Sequence, residues 1–187
     1  MKIRDSGMPD RCVWENLFDV QGILTNMELD SRVRDVVEVG CGYGTFTIPV
    51  AKVISGQIYA YDVDEEMIRI IKSEAEKAKL NNVEAALRDV LTDGFGLSAE
   101  SVDYVMLFNI LHLDTPVVLL KEAHRVMISG GKLGAIHWNY DPSTPRGPSM
   151  EIRPKPEECI RWAEQAGFHS PKMYDLKPYH YGIVLEK

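Results

Sequence analysis

Val36-Val37-Glu38-Val39-Gly40-Cys41-Gly42-Tyr43-Gly44 is a β-branched run that ends in three glycines at alternate positions. The apolar half, extended back to Val33, reads as a buried strand. The glycines read as a sharp turn in which the backbone can approach a ligand without a Cβ in the way. Thr45 to Ile54 then reads as a helix, with Pro49 near its start, where a missing N–H costs least. Strand, glycine turn and helix form the opening unit of an open α/β sheet, and such sheets bind ligands at the carboxyl ends of their strands.

The pattern continues on both sides of that unit. Upstream, Val13, Leu17, Val20, Leu24 and Met27 recur at helical spacing, which predicts one amphipathic helix over 11–28. Downstream, strands are expected at 57–61, 83–87, 101–108 and 132–138. Between them, Asp64 caps a helix running to about Leu80, and Asp114-Thr115-Pro116 opens another that runs to Met127 and ends at Ser129-Gly130-Gly131. Alternating strands and helices imply a parallel sheet covered on both faces. Lys172–Leu176 and Tyr181–Leu185 are separated by too few residues for a crossover and read as an antiparallel hairpin. Five of the ten prolines fall in 141–156, which reads as a long loop after the fifth strand. The whole of 1–187 reads as one domain, with 1–30 as a helical cover and 140–156 as a loop on the substrate side.

Polar residues stand where successive strands end. Asp62 closes the second strand at roughly the 20-residue spacing at which a carboxylate meets ribose hydroxyls. Asp89 follows the third strand, with a turn before Leu91-Thr92-Asp93-Gly94 as its alternative role, and Asn109 follows the fourth. Asp64 suits helix capping better than Asp62, which leaves Asp62 for a ligand.

On these residues the chain resembles the class I S-adenosylmethionine (SAM) dependent methyltransferases, in their small-molecule branch, which includes quinone-biosynthesis (type 11) enzymes. Val36–Gly44 looks like the family's first motif and Tyr59-Ala60-Tyr61-Asp62-Val63-Asp64 like its acidic motif. Ser101–His112 looks like its fourth motif, and Leu120–Gly131 like the helix and turn before strand five. The resemblance covers roughly 30–140. It implies a doubly wound α/β fold: a seven-stranded, mostly parallel sheet in the order 3-2-1-4-5-7-6, strand 7 antiparallel, with helices on both faces. It implies SAM as cofactor, with Glu38 and Gly40 near the methionine moiety and Cys41, Gly42 and Gly44 in the adjoining turn. It implies Asp62 on the ribose, Val63 and Met67 flanking the adenine, Asp89 and Val90 at its edge, and Asn109 near the transferred methyl.

Methyl transfer is an in-line displacement, so positioning carries much of it, and a general base is needed only when the acceptor must lose a proton. No compulsory catalytic motif is therefore expected. His112 and His137 follow apolar strands and are candidates for a base or substrate contact; a hydrogen-bonded structural histidine is the alternative. Trp138 and Tyr140 could wall an apolar acceptor or anchor the loop. Arg146 and Arg153 could hold an anionic group, solvated loop charge being the alternative. Trp14, Phe18 and Phe46 are further candidates for the wall, or simply core.

Other readings lose ground. Position 45 is Thr, so the glycines do not form the GxGxxG of an NAD-dependent oxidoreductase. A non-catalytic SAM-binding module or sensor would share the same loop. The Asn/Asp-Pro-Pro-aromatic motif of enzymes that methylate base or glutamine amino groups is absent after the fourth strand. The net charge of −7 disfavours nucleic acid as a partner. That charge falls within 1–139, since 140–187 carry seven basic and seven acidic residues. Three scattered cysteines, Cys12, Cys41 and Cys159, argue against a disulfide framework and a cysteine-built zinc site, so no metal is expected. Arsenite chemistry needs several thiolates, and only Cys41 lies in the loop. A polar Met1–Gly7 and the lack of a long apolar run make a cytoplasmic small-molecule enzyme without a membrane segment the expectation.

Overall fold

The computed structural model describes residues 9–187, so the Met1–Gly7 segment and the start of the expected helical cover lie outside the described residues. A single seven-stranded sheet organises the chain, in the order β3-β2-β1-β4-β5-β7-β6. Its strands are β1 Val36–Val39, β2 Ile58–Asp62, β3 Val83–Leu87, β4 Val102–Phe108, β5 Met127–Trp138, β6 His169–Leu176 and β7 His180–Glu186. The first five pair in parallel, and β7 runs antiparallel to both β5 and β6. This is the expected topology, with the strand order reversing between β1 and β4.

The helices are α1 Arg11–Glu15, α2 Val20–Asn26, α3 Thr47–Val53, α4 Glu65–Lys77, α5 Val90–Asp93, α6 Pro116–Val126 and α7 Pro156–Gln165. Alternate side chains of the central strands feed opposite faces. Val37, Val39, Val105 and Leu107 pack with Leu119, Leu120 and Ala123 of α6 and Cys159 and Ala163 of α7. Val36, Tyr104, Met106 and Phe108 pack on the other side with Ile23 and Leu24 of α2 and Val50 and Ala51 of α3. Ile68 and Ile71 of α4 close a smaller cluster with Ala60 and Ala85. Both faces of β4 are thus buried, as its near-continuous apolar sequence requires.

Several elements differ from the sequence expectation. The 11–28 segment is two short helices, because Asp19 accepts from Gly22 N at 3.1 Å and starts a second helix. Ser129-Gly130-Gly131 does not end a helix. The chain passes from α6 straight into β5, and the glycines lie within it, where β4 and β5 shift register between Val102 and Tyr104. A Cβ at Gly131 would lie 2.9 Å from Asp103 O, so the strands meet there only because the residue is glycine. α5 and α7 were not expected. The proline-rich loop ends at Lys155, and Pro156 takes the first turn of α7, where it lacks no bond it needs. The hairpin strands begin at His169 and His180, slightly earlier than expected.

Candidate active site

The carboxyl ends of the parallel strands form one edge, and the glycine turn sits in its middle. Gly40 N and Cys41 N both donate to Tyr61 O, at 2.8 and 3.1 Å, tying the loop to the end of β2. Gly40, Gly42 and Gly44 have φ of +72°, +52° and +80°. At Gly44 a side chain is disfavoured by that φ and crowded by Ile71 Cγ1, which would lie 3.2 Å from an added Cβ.

Asp62 laces this loop. Its Oδ2 accepts from Gly42 N at 2.9 Å, and its Oδ1 accepts from Val63 N at 2.8 Å and Asp64 N at 3.0 Å. Burial raises its carboxyl above the ordinary range, and the three N–H bonds oppose that rise. Asp64 takes the capping role by accepting from Glu66 N at 2.8 Å, as the sequence suggests. Val63 is half-buried beside it, and Met67 lies buried in the first turns of α4.

Glu38 is 2 % exposed within β1, and Thr47 Oγ1 donates to it at 2.5 Å. Burial pushes its carboxyl up to about 8, against the Thr47 bond. The Cys41 thiol packs among Ala60, Ile68, Ile71 and Ala85, and burial raises its pKa well above that of a free thiol. That suits a packed thiol and leaves the Cys41 backbone as its contribution to the loop. Asp89 caps α5 by accepting from Leu91 N at 3.1 Å, and Val90 is buried directly behind it.

Asn109, one step beyond β4, has φ of +56°, an uncommon conformation for a residue with a side chain. Its N–H donates to Ile136 O at 2.7 Å, while its side-chain oxygen and nitrogen are both buried without a hydrogen-bond partner. Thr45 Oγ1, just after the glycine turn, is orphaned in the same way. Buried polar groups are normally paired, so the orphans gathered at one sheet edge are groups that a ligand or an ordered water would satisfy.

His112 and His137 meet at the ends of β4 and β5, with Nδ1 of the first 3.2 Å from Nε2 of the second. His137 is 1 % exposed. Burial first, then the charges of His112, His180 and Arg153, hold it well below the usual histidine range.

The expected acceptor-side residues separate. Arg153 is buried, and its guanidinium donates to the carbonyls of Asn139, Asp141, Arg146 and Pro148 and to Thr144 Oγ1. Five N–H donors are thereby used within the loop. Trp138 is also buried, tilted 4.3 Å from the His180 ring and stacked 6.2 Å from Tyr179. Arg146 and Tyr140 are exposed, and Lys155 Nζ lies 4.7 Å above the Tyr140 ring. Tyr140 lines a shallow hollow of about 300 Å³ with Asn139, Pro156, Met173, Tyr174, Asp175 and Tyr181. Trp14, Phe18, Phe46 and Phe108 form a chain of edge-on contacts, each centroid 4.9–5.2 Å from the next.

Sequence reasoning missed Thr45, Thr47 and His180. The hydroxyls were hidden as ordinary helix-start residues; their place directly after the glycines was the available signal. His180 stacks 4.5 Å from Phe18 and keeps a buried, orphaned Nε2, and burial drives its pKa down to about 3. A lone histidine in an apolar strand gave no warning of that. Among the described residues, no group of three or more His, Cys, Asp or Glu is placed to hold a metal, and no helix is long and apolar enough to cross a membrane.

Comparison with known proteins agrees with this fold. The profile of a family described as "Methyltransferase domain" matches residues 36–131. A SAM-dependent methyltransferase from Aquifex aeolicus superposes with a TM-score of 0.82 at 27% identity, covering 94% of this chain and 93% of that one. The catalytic subunit of a tRNA (adenine(58)-N(1))-methyltransferase from Yarrowia lipolytica is 33% identical over 94 residues, covering 49% of this chain and 24% of that protein. A demethylmenaquinone methyltransferase from Geobacillus sp. is 26% identical over 103 residues, covering 54% and 43%. The match thus spans about a quarter of the tRNA-modifying relative and less than half of the quinone-modifying one.

Proposed function

This chain belongs to the methyltransferase domain family, and on that premise we propose that it transfers a methyl group from SAM to a small-molecule acceptor by in-line displacement. The observation that carries the reading is the set of buried, unpartnered polar atoms at the carboxyl edge: Thr45 Oγ1, both side-chain polar atoms of Asn109, and His137 Nδ1. They stand beside a glycine loop laced by a buried carboxylate.

The residues present fit the cofactor. Bound SAM supplies an electrophilic methyl group carried on a sulfonium. Glu38 is a buried carboxyl that a nearby cation would draw into its charged form. The Gly40–Gly44 backbone offers close approach, with the Cys41 thiol out of the way. Asp62 has about one of its four lone-pair sites uncommitted for a ribose hydroxyl, and more if Gly42 N is released. Val63 and Met67 give apolar contact to a base on one side, and Asp89 and Val90 edge it on the other. The Asn109 amide offers a donor and an acceptor at the methyl end. Holding the acceptor's nucleophile about 3–3.5 Å from the methyl, in line with the breaking bond, is then the main catalytic task.

Of the two histidines, His112 is the group proposed to meet the acceptor, with the buried His137 behind it. Tyr140 and Arg146 are the loop residues exposed enough to contribute. Arg153 and Trp138 act behind them, by holding the loop and the strand end. A small molecule is favoured over tRNA by the net charge of −7 and by the satisfaction of Arg153 within its own loop.

The test is release of S-adenosylhomocysteine (SAH) in the presence of a panel of small hydroxyl, amine and thiol compounds and of bulk tRNA. Turnover with a small compound and none with tRNA is expected. Turnover with tRNA alone would move the acceptor to RNA. Tight SAM binding with no turnover across both panels would favour a sensor.

A further inference from the structure

Arg146 and Arg153 stand on one loop and are used in opposite ways. Arg153 is 7 % exposed, and its donors go to backbone carbonyls and to Thr144 Oγ1, all of them neutral acceptors. Among the described residues it forms no ion pair. The carboxylate whose charge reaches it, Asp141, is exposed and accepts from Ser143 N at 2.8 Å instead. A buried cation with neutral partners alone lacks the counter-charge that burial normally demands. His180 stands at the same corner, tilted 4.3 Å from the Trp138 ring, and its buried Nε2 has no hydrogen-bond partner. Burial and then the charge of Arg153 keep that ring neutral. The corner thus holds a cation short of its counter-charge and a ring nitrogen short of its bond, and an anion relieves deficits of both kinds.

Arg146 is held by its backbone and not by its side chain. Its carbonyl accepts from Thr144 Oγ1 at 3.0 Å and from Arg153 Nη2 at 3.3 Å. Next to it, Gly147 has φ of +118°, and an added Cβ there would lie 2.8 Å from Trp138 Cγ and 2.7 Å from Arg153 Nη2. The loop tip is therefore seated against the indole that ends β5, in a place only glycine fits. The Arg146 guanidinium is exposed and makes no hydrogen bond or ion pair among the described residues. A fixed backbone carrying an uncommitted planar fork is suited to two-point capture of a carboxylate or phosphate. The local charge agrees. Residues 139–155 carry Arg146, Arg153 and Lys155 against Asp141 and Glu151, in a chain of net charge −7. Lys155 is already engaged over the Tyr140 ring.

We propose that the methyl acceptor carries an oxyanion, a carboxylate or a phosphate, which the Arg146 fork binds, with Arg153 as a positioning residue that pins the loop tip and supplies the uncompensated charge behind it. The acceptor class so specified rests on the methyltransferase reading above. The oxyanion is a handle that holds the acceptor against the end of β5, and neither arginine takes part in a covalent step.

Calorimetry on the SAH-saturated protein tests this with three probes of similar size: benzoate, phenyl phosphate and the neutral benzamide. At least one oxyanion should bind about tenfold more tightly than benzamide, the effect of one hydrogen bond between charged groups. The tighter of the two tells a carboxylate site from a phosphate site. Arg146→Ala should erase the preference. Lys52→Ala, which removes an equal charge from the last turn of α3, should leave it intact. Arg153→Gln should weaken the favoured oxyanion by about tenfold and leave benzamide unchanged, and Arg153→Lys, which keeps the charge, should recover most of that loss. Equal binding of all three probes, no binding of either oxyanion, a preference that survives Arg146→Ala, or one lost equally in Lys52→Ala would overturn the proposal. A Lys variant no better than the Gln variant would overturn the part given to the Arg153 charge. If the Arg153 variants do not fold, the Arg146 and Lys52 variants decide alone. Titration of SAH into the same samples separates the two readings. Absence of SAH binding counts against the methyltransferase reading, whereas SAH bound with no oxyanion preference counts against this inference alone.

Discussion

Glu38 lies in β1 with its carboxyl enclosed, hydrogen-bonded to Thr47 and pushed up to about 8 by burial. An unfolded carboxyl ionises near 4.5. Between these values the folded chain holds a proton that the unfolded chain has released. The ligand-free protein should therefore lose stability as pH rises from about 4.5 to about 8, by a few kcal/mol at most. A cation bound nearby reverses the preference, so SAM affinity should rise over the same interval. Glu38→Gln tests both consequences. Its urea midpoint should exceed that of the unaltered protein at pH 8.5 and approach it below pH 5, and its SAM affinity should fall at least tenfold and lose its pH dependence. A variant that matches the original in both respects would remove Glu38 from the site. Asp62, Asp89 and Asn109 were legible as residues because each ends a strand in an open sheet. What the sequence could not convey is how each is already engaged. Asp62 stitches the loop through Gly42, and Asp89 caps a short helix, a role it fills alongside the one proposed for it.

Among the elements, the loop between β5 and α7 shows where sequence patterning stops being informative. Its prolines correctly excluded a central strand, but they also concealed α7, because Pro156 looks like another loop proline until its place at the helix start is seen. Arg153 reads in the sequence as a free loop charge available to an anion. It is instead the post around which the loop is wound, its donors spread over carbonyls between Asn139 and Pro148. Arg153→Met should leave those carbonyls unsatisfied and destabilise the fold by about 1–3 kcal/mol in chemical denaturation. It should change SAM affinity little. A variant as stable as the original would show that the loop closes without its post. The expected 11–28 helix failed for a related reason. Periodicity places Leu17, Leu24 and Met27 in the core correctly, but Val13 is exposed, and Asp19 accepts from the backbone and starts a new helix in the middle.

For the molecule as a whole, the strand order came from the family resemblance, while the parallel sheet and its antiparallel end follow from the alternation of strands and helices together with a closing pair too near in sequence for a crossover. Those are long-range consequences of simple spacing, which is why they were readable. The acceptor is not readable in the same way. It depends on which side chains converge at one edge, and His137, His180 and the Trp14–Phe18–Phe46–Phe108 chain come together only through tertiary packing. The acidity of the chain, carried by residues 1–139, bears on the same scale, since net negative charge disfavours polyanions and favours a cationic ligand. The central claim, that the glycine edge is a SAM site, is tested most directly by calorimetric titration of SAM, SAH and NAD into the protein and its Asp62→Ala variant. SAM and SAH should bind the unaltered protein with dissociation constants of roughly 1–100 µM, NAD should give no binding heat, and Asp62→Ala should weaken SAM by tenfold or more while remaining folded. Binding of NAD without SAM, or SAM affinity indifferent to Asp62, would contradict it.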